Sequence, residues 1–444
     1  MSALIEPRTL KGFRDYPPNL MIPRERLLET ARRVYRSYGF APIDTPAIEY
    51  TEILLGKGGE ESDRLIYRFR DHGDRDVALR FDLTVPFARF AAQYVGPNPN
   101  QLPVPFKRYA MGPVWRGENT AHGRYREFWQ CDFDTIGTTS NASDIEVALV
   151  IHDLFSVLGF DRFEIRLNNR LILNGLLSIM GLSSMAVPLL RSLDKLLKIG
   201  PQKVIEEMIR ETGISSENAT QIVDLVNIKG SNEEVLASVE SAYGSNPQAA
   251  QGIANLRELL SVVKATGLNE ARFKVDLSIC RGLDYYTGTI YETFLLDKPE
   301  IGSVCSGGRY DNLAALYTKQ QLPGVGASLG VDRLLAAMEE LKLLGTTSTP
   351  APIIIFNFLK ELMPSYQLMA RRIRAAGLGV EVYPETKKLN AQFQYAEKKG
   401  FAAGIIAGTD EMNQGVWKVK DLKARTEIVT SESQIVDTIR NITG

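Results

Sequence analysis

The sequence predicts a multidomain chain of mixed α+β and α/β class: an antiparallel sheet domain, an all-helical insertion inside it, and a small C-terminal α/β domain. Three observations lead there. At 444 residues the chain exceeds what one hydrophobic core organises, roughly 250–300 residues. Short runs rich in β-formers, Val77-Ala78-Leu79-Arg80-Phe81 and Phe128-Trp129-Gln130-Cys131-Asp132-Phe133, stop before a long helical stretch and resume after it at Phe273-Lys274-Val275-Asp276-Leu277. Past a small, polar, proline-rich segment, residues 344–352, strand and helix patterns alternate.

Taken in order, Leu27, Leu28, Ala31, Val34, Tyr35 and Tyr38 recur at three- and four-residue steps, which predicts a helix over 24–38 begun by Pro23 and ended by Gly39. Residues 77–134 read as antiparallel strands and 141–160 as a helix. Residues 171–268 carry amphipathic helices and no strand-like run, so the first domain, 1–340, is interrupted there. Residues 341–352 form the linker. The last domain, 353–444, reads as strand 353–356, helix 364–376, strand 380–383, helix 389–399 and strand 404–407, with a largely parallel sheet.

Composition excludes several classes. Hydrophobic residues are 44% and charged residues 24%, the balance of a globular protein. No run of about 18 apolar residues is present, and the N-terminus has no basic region followed by an apolar stretch, so a soluble cytoplasmic enzyme without a membrane partner is expected. Three dispersed cysteines argue against a disulfide framework or a zinc knuckle, and three histidines leave little material for a metal site or a Ser-His-Asp relay. Net charge is -1, yet residues 351–444 hold 13 Lys and Arg against 10 Asp and Glu, which permits a nucleic-acid surface without requiring one.

Four segments carry chemistry. Arg281-Gly282-Leu283-Asp284-Tyr285-Tyr286-Thr287-Gly288, with Ser306-Gly307-Gly308-Arg309-Tyr310-Asp311, joins guanidinium, phenols and a diglycine without a nucleophile, as suits an anion or a flat polar ring. Val114-Trp115-Arg116, a polar turn over 117–123 and Arg124 to Asp134 read as strand, loop, strand. Period-two alternation puts Arg126, Phe128, Gln130, Asp132 and Asp134 on one face, and Trp129, Cys131 and Phe133 in the opposite packing layer. A solvated polar face is the competing reading. Asp82 and Thr84, two apart on an extended segment, suit an ammonium, and an Asp capping the next turn is the alternative. In Gly324-Val325-Gly326-Ala327-Ser328-Leu329-Gly330 a strand turns into a helix whose first turn holds Arg333, where the macrodipole disfavours a cation and an anionic ligand would explain it. Arg116, Arg281 and Arg333 together could grip a polyphosphate. The absence of an obvious base fits a reaction whose nucleophile, an ionised carboxylate, comes with the substrate.

On these residues the chain resembles the class II aminoacyl-tRNA synthetases, and within them the histidyl-tRNA synthetase family, over essentially its whole length. Residues 40–49, with Pro46, resemble the dimer-forming first class II motif, residues 116–134 the second and 324–335 the third. The stretches beginning at Arg281 and Ser306 resemble the two histidine signatures. The resemblance implies a class II catalytic domain, a helical insertion reaching toward the acceptor arm, and a C-terminal anticodon-binding domain, matched most closely over 387–399, where basic residues mix with aromatics. It implies that Asp82, Leu83, Thr84, Arg116, Gln130, Asp134, Arg281, Tyr285 and Tyr286 bind histidine. Glu118, Arg124, Tyr125, Phe128 and Arg333 would join Arg116 in positioning ATP, with Phe128 stacked on adenine. Arg281 and Arg116 are the catalytic residues it implies, both at the α-phosphate.

The implied reaction is activation of L-histidine by ATP to histidyl-adenylate and pyrophosphate, then transfer to the 3′ end of tRNA(His) by a homodimer. Mg2+ carries part of the phosphate charge, and no metal ligand is assigned. Two departures stand out. Asp82-Leu83-Thr84 and Gln130-Cys131-Asp132-Phe133-Asp134 resemble the archaeal and eukaryotic branch, and the turn over 117–122 lacks the basic residues often found there. The rival readings are a catalytically silent regulatory subunit of ATP phosphoribosyltransferase, which typically lacks the last domain and a complete histidine signature, and a nonenzymatic RNA-binding or sensor module.

Overall fold

The computed structural model describes residues 4–55, 60–280, 285–344 and 348–443. The chain divides into two compact units, one of Met1–Arg14 and Leu27–Glu340, the other of Asp15–Arg26 and Leu341–Gly444. Among the described residues no helix is long and apolar enough to cross a membrane.

In chain order the strands of the first unit are β1 (Ala41–Pro42), β2 (Ile48–Tyr50), β3 (Arg68–Arg70), β4 (Asp76–Leu79), β5 (Phe106–Trp115), β6 (Glu127–Ile136), β7 (Phe163–Asn169), β8 (Phe273–Val275), β9 (Thr289–Leu295), β10 (Ser303–Tyr310) and β11 (Gly324–Gly330). Eight of them form one sheet in the order β1-β5-β6-β11-β10-β9-β7-β8. From β5 to β7 every neighbour is antiparallel, as the β-rich runs predict, and only the short flanking strands β1 and β8 pair in parallel. The remaining three make a small sheet, β2-β4-β3.

The first long helix covers Pro18–Ser37 and has Pro23 inside it, so it starts earlier than the periodicity indicated. A proline is commonest in the first helical turn, which favours Pro23 as the start, but Pro18 already occupies that turn. Gly39, at φ +81°, ends the helix, and the Phe40 amide returns to the Tyr35 carbonyl. This leaves Tyr35 and Phe40 against the ring of Phe133 on β6.

Between β7 and β8 the backbone is helical throughout, with helices from Arg170–Ile179 to Pro247–Ala265. Asn169, Ser215, Ser231 and Asn246 each cap a helix with a side-chain oxygen. A Cβ on Gly175 would stand 2.9 Å from the Ala249 backbone nitrogen, so this glycine permits the close approach of the first and last of these helices. All of them belong to the same compact unit as the sheet.

In the second unit β12 (Ile353–Ile355), β13 (Val380–Val382), β14 (Ala403–Ile406), β15 (Val416–Asp421) and β16 (Thr426–Ser431) form a sheet in the order β13-β12-β14-β15-β16. The first three are parallel with helices Met363–Ala375 and Leu389–Lys399 between them, as predicted. The other half corrects the expectation of a largely parallel sheet, because β14, β15 and β16 are antiparallel. The β15–β16 hairpin escapes sequence reading because its turn has no glycine: Arg425 takes the left-handed conformation at φ +59°, and the Asp421 carboxylate accepts the Lys423 and Ala424 amides.

Candidate functional site

Strand β6 builds the floor of the site. Its alternation sends Cys131 and Phe133 into the layer below, where the Tyr35 hydroxyl donates to the Cys131 carbonyl at 3.1 Å. Phe128, Gln130, Asp132 and Asp134 take the other face. That face is not a solvated one, because Gln130, Asp132 and Asp134 are all buried.

Asp134 belongs to a buried acidic cluster with Asp82 and Asp132. The Tyr310 hydroxyl donates to its Oδ1 at 2.6 Å, and Arg108 Nη2 lies 2.7 Å from its Oδ2. Arg108 is fully buried, stacks on Phe87 at 4.4 Å and donates to the Leu83 carbonyl at 3.2 Å. Neither Arg108 nor Tyr310 was given a binding role from sequence. The available signal was a basic pair, Lys107 and Arg108, between Phe106 and Tyr109, with Arg108 placed opposite Asp134 once β5 and β6 are paired.

Tyr285 and Tyr286 form one wall, their rings edge to face at 5.0 Å, with Tyr285 also 5.9 Å from Tyr310. A Cβ on Gly308 would meet the Tyr286 ring at 2.9 Å, and one on Gly326 would meet Asp134 Oδ1 at 2.2 Å. These glycines are therefore what allows the tyrosine and the carboxylate to lie flat against the sheet. Burial raises the pKa of both tyrosines and holds them neutral.

Asp82 and Thr84 do not lie on an extended segment. Asp82 is buried in the turn before helix Thr84–Tyr94, and its Oδ1 accepts the Val85 amide at 2.9 Å. The capping alternative thus describes one of its oxygens, while its charge faces Arg116. Leu83 is buried and enters the site through its carbonyl. Burial pushes the Asp82 and Asp134 carboxyls up from the ordinary range, opposed by Arg116 at Asp82 and by Arg108 at Asp134. Asp132 is pushed up to about 7, again by burial first, with Arg108 the leading opposing influence.

A cleft open to solvent lies beside this cluster. Arg116, Glu118, Arg124, Tyr125, Phe128 and Arg333 line it, together with Gln130, which it shares with the acidic floor. Arg116 lies 4.2 Å from the Phe81 ring and 5.1 Å from that of Phe128, and its Nε donates to the Phe81 carbonyl at 3.1 Å. Arg333 occupies the first turn of helix Val331–Glu340 and donates to the Ser303 carbonyl at 2.8 Å, which accounts for part of its placement without an anion. The next residue back, Asp332, accepts the Trp129 amide at 2.7 Å and an Arg14 donor at 3.3 Å. Arg14 also donates to the Tyr125 hydroxyl at 2.9 Å. The N-terminal segment therefore braces the cleft, a role that no sequence signal marked. Arg281 lies outside the described residues.

Among the described residues no three His, Cys, Asp or Glu side chains stand close enough to cage a metal ion. Glu118 is the cleft carboxylate with the lightest engagement, 3.9 Å from Arg124.

Comparison with known proteins bears on both units. Residues 12–334 match the family model of histidyl-tRNA synthetase, and residues 352–442 match that of an anticodon binding domain. A histidine-tRNA ligase of Rhodopirellula baltica is 54% identical over 433 residues, 98% of this chain and 96% of that protein. Another, from Wolinella succinogenes, is 46% identical over 423 residues, 95% of each. The crystal structure of histidyl-tRNA synthetase from Nostoc sp. PCC 7120 superposes with a TM-score of 0.88 at 36% identity, covering 99% of this chain and all of that one. A Bacillus halodurans protein described as an ATP phosphoribosyltransferase regulatory subunit/histidyl-tRNA synthetase shares the fold at 21% identity and a TM-score of 0.72.

Proposed function

This chain belongs to the histidyl-tRNA synthetase family, and from that premise we propose how its cleft and acidic pocket carry out the reaction. The enzyme is a histidine-tRNA ligase. It activates L-histidine with ATP, the histidine carboxylate attacking the α-phosphate as pyrophosphate leaves, and then passes histidine to the 3′ end of tRNA(His) with release of AMP. The near full-length relatives favour this activity over the regulatory-subunit reading.

The observation that carries the assignment of residues is the join between the two halves of the site. Arg116 and Gln130 line the phosphate-sized cleft, while Asp82, Asp134 and the tyrosine pair form the adjoining pocket. Asp82, Thr84 and Gln130 hold the substrate ammonium. Asp134 and the Tyr285-Tyr286 pair read the imidazole. An apolar amino acid there would leave buried polar groups unpaired, which is the strongest kind of discrimination a pocket offers. Arg116 orients the α-phosphate and Arg281 stabilises the charge that develops on it. Glu118, Arg124, Tyr125 and Arg333 position the nucleotide, with Phe128 against its base.

Glu118 offers the carboxylate that would hold Mg2+ on the bound triphosphate, where the ion would neutralise phosphate charge, and among the described residues no cluster of three acidic, His or Cys side chains could cage it. The catalytic domain spans 1–340 around an insertion at 171–268 that approaches the acceptor arm, and the domain over 353–444 binds the anticodon. In the latter, Lys399 and Tyr395 are engaged with Glu381, so exposed Lys388 and Lys398 remain for RNA contact. Ile48, Tyr50 and Phe69 expose an apolar face on the β2-β4-β3 sheet next to the segment resembling the first class II motif, which supports a homodimer.

The test is pyrophosphate exchange with each amino acid in turn. Histidine-dependent exchange is expected, and its absence would overturn the reading. For Arg281→Ala, activation should fall far more than histidine affinity.

A further inference from the structure

Asp132 stands on β6 between Gln130 and Asp134, on the same face and about 7 Å along the strand from each. It is 1% exposed, and among the described residues no donor stands in good hydrogen-bond geometry to either carboxylate oxygen, although the nearby Ser328 hydroxyl favours its charged form. Gln130 Oε1 is in the same condition. The Ser328 hydroxyl beside it, its register partner on β11, receives the Gln130 amide at 2.7 Å and offsets the burial of Asp132 only in part. Buried acceptors left open are costly, and native chains keep them where something else completes them.

Charge balance says what that something is. Three carboxyls face this pocket: Asp82 from the turn before helix Thr84–Tyr94, and Asp132 and Asp134 from β6. Three described cations face them: Arg108 from β5, Arg116 just past the end of the same strand, and Arg80, whose guanidinium is engaged with Asp44 and the Thr45 and Pro113 carbonyls. Arg108 stands 2.7 Å from Asp134 but 4.0 Å from Asp132. Arg116 is the leading cation at Asp82. The other titratable groups near Asp132, Tyr35, Tyr286 and Cys305, are buried and neutral. Asp132 thus shares Arg108 with Asp134 and stands the farther of the two from it.

We propose that Asp132 is a further histidine-binding residue, whose carboxylate receives the substrate's α-ammonium together with the open oxygen of Gln130. The inference rests on the reading of this pocket as the histidine site. The ammonium is the fixed cation that histidine brings whatever the state of its ring. Its entry ionises Asp132, and the displaced proton leaves to solvent.

Asp132→Asn keeps the shape of the side chain and removes the charge. The KM for histidine in pyrophosphate exchange should rise at least tenfold, with the KM for ATP unchanged. Imidazolepropionate, which lacks the amino group, should inhibit wild type and variant equally, whereas histidinol, which keeps it, should lose affinity in the variant. In wild type at pH 6.5, calorimetry of histidine binding in buffers of different ionisation enthalpy should show net proton release, and the variant should show less. An unchanged histidine KM, or an equal loss for histidinol and imidazolepropionate, would overturn the proposal. Should the variant not fold, absence of proton release in wild type does so alone. Failure of wild type to exchange with histidine at all would instead sink the underlying assignment.

Discussion

Arg108 and Asp134 are register partners on β5 and β6, and their side chains meet in the core with Nη2 2.7 Å from Oδ2. Both are essentially without solvent contact. Removing one member of such a pair strands the other charge, so Arg108→Met should destabilise the first unit by about 3–5 kcal/mol. Urea unfolding followed by tryptophan fluorescence measures this. A loss under 1 kcal/mol would mean that Asp134 is already neutral in the free enzyme.

Tyr310 links the β10 strand to the same carboxylate through its 2.6 Å bond. A hydrogen bond to a charged group contributes roughly 1.5–3 kcal/mol, and here it fixes the orientation of the carboxylate proposed to read the substrate ring. Tyr310→Phe should raise the KM for histidine by about tenfold or more and leave that for ATP in place. An effect on ATP alone would place Asp134 outside the amino-acid pocket.

What could be read ahead of the structure was whatever is local in the chain. Gln130, Asp132 and Asp134 share a face because alternation along one strand dictates it, and the arginines of the cleft stand out because they flank a polar turn. Arg108 and Tyr310 could not be found that way. Tyr310 is 176 residues from its partner, and only strand order brings β10 within one strand of β6. The same holds for Arg14, whose bond to Asp332 crosses 318 residues. Local rules also misplaced Asp82, because the extended segment was carried past Leu79, where β4 ends, into a turn in which the carboxylate accepts the Val85 amide. In the second unit, the parallel half was legible from helix and strand alternation with glycine stops. The hairpin was hidden by a turn that puts an arginine where glycine or asparagine is the usual signal.

That turn makes a prediction about stability. A non-glycine residue in the left-handed region costs roughly 1–2 kcal/mol, and asparagine relieves part of it without the chain entropy of glycine. Arg425→Asn should therefore raise the stability of the second unit by a few tenths to about 1 kcal/mol. Thermal melting is the measurement, and a lower midpoint would show that the arginine side chain contributes a compensating contact.

Asp132 also shapes the pH dependence of the free enzyme. Its pKa is near 7 when folded against 3.8 for the free side chain, so between these values the folded state holds a proton that the unfolded state has lost. Stability therefore falls as pH rises through that window, the opposite sign to a salt-bridged carboxylate. Asp134 and Asp82, also raised, act in the same direction, and the neighbouring Arg108 and Arg116 guanidiniums limit it. Unfolding free energies of wild type and Asp132→Asn at pH 5 and pH 7.5 should diverge, with the variant gaining at the higher pH. Parallel curves would mean that Asp132 keeps its ordinary pKa.

Asp82 carries two duties that substitution can separate. One oxygen caps helix Thr84–Tyr94 through the Val85 amide, and its charge, which faces Arg116, is the one proposed to hold the substrate ammonium. Asparagine is as good a capping residue as aspartate, so Asp82→Asn should leave stability within about 0.5 kcal/mol, whereas Asp82→Ala should lose about 1 kcal/mol with the cap. Both variants remove the negative charge and should raise the KM for histidine by a similar factor, at least tenfold. Melting temperature separates the variants, and pyrophosphate exchange groups them together. If instead Asp82→Asn bound histidine as wild type does and only Asp82→Ala failed, the capped helix end, rather than the carboxylate, would be what positions the amino acid.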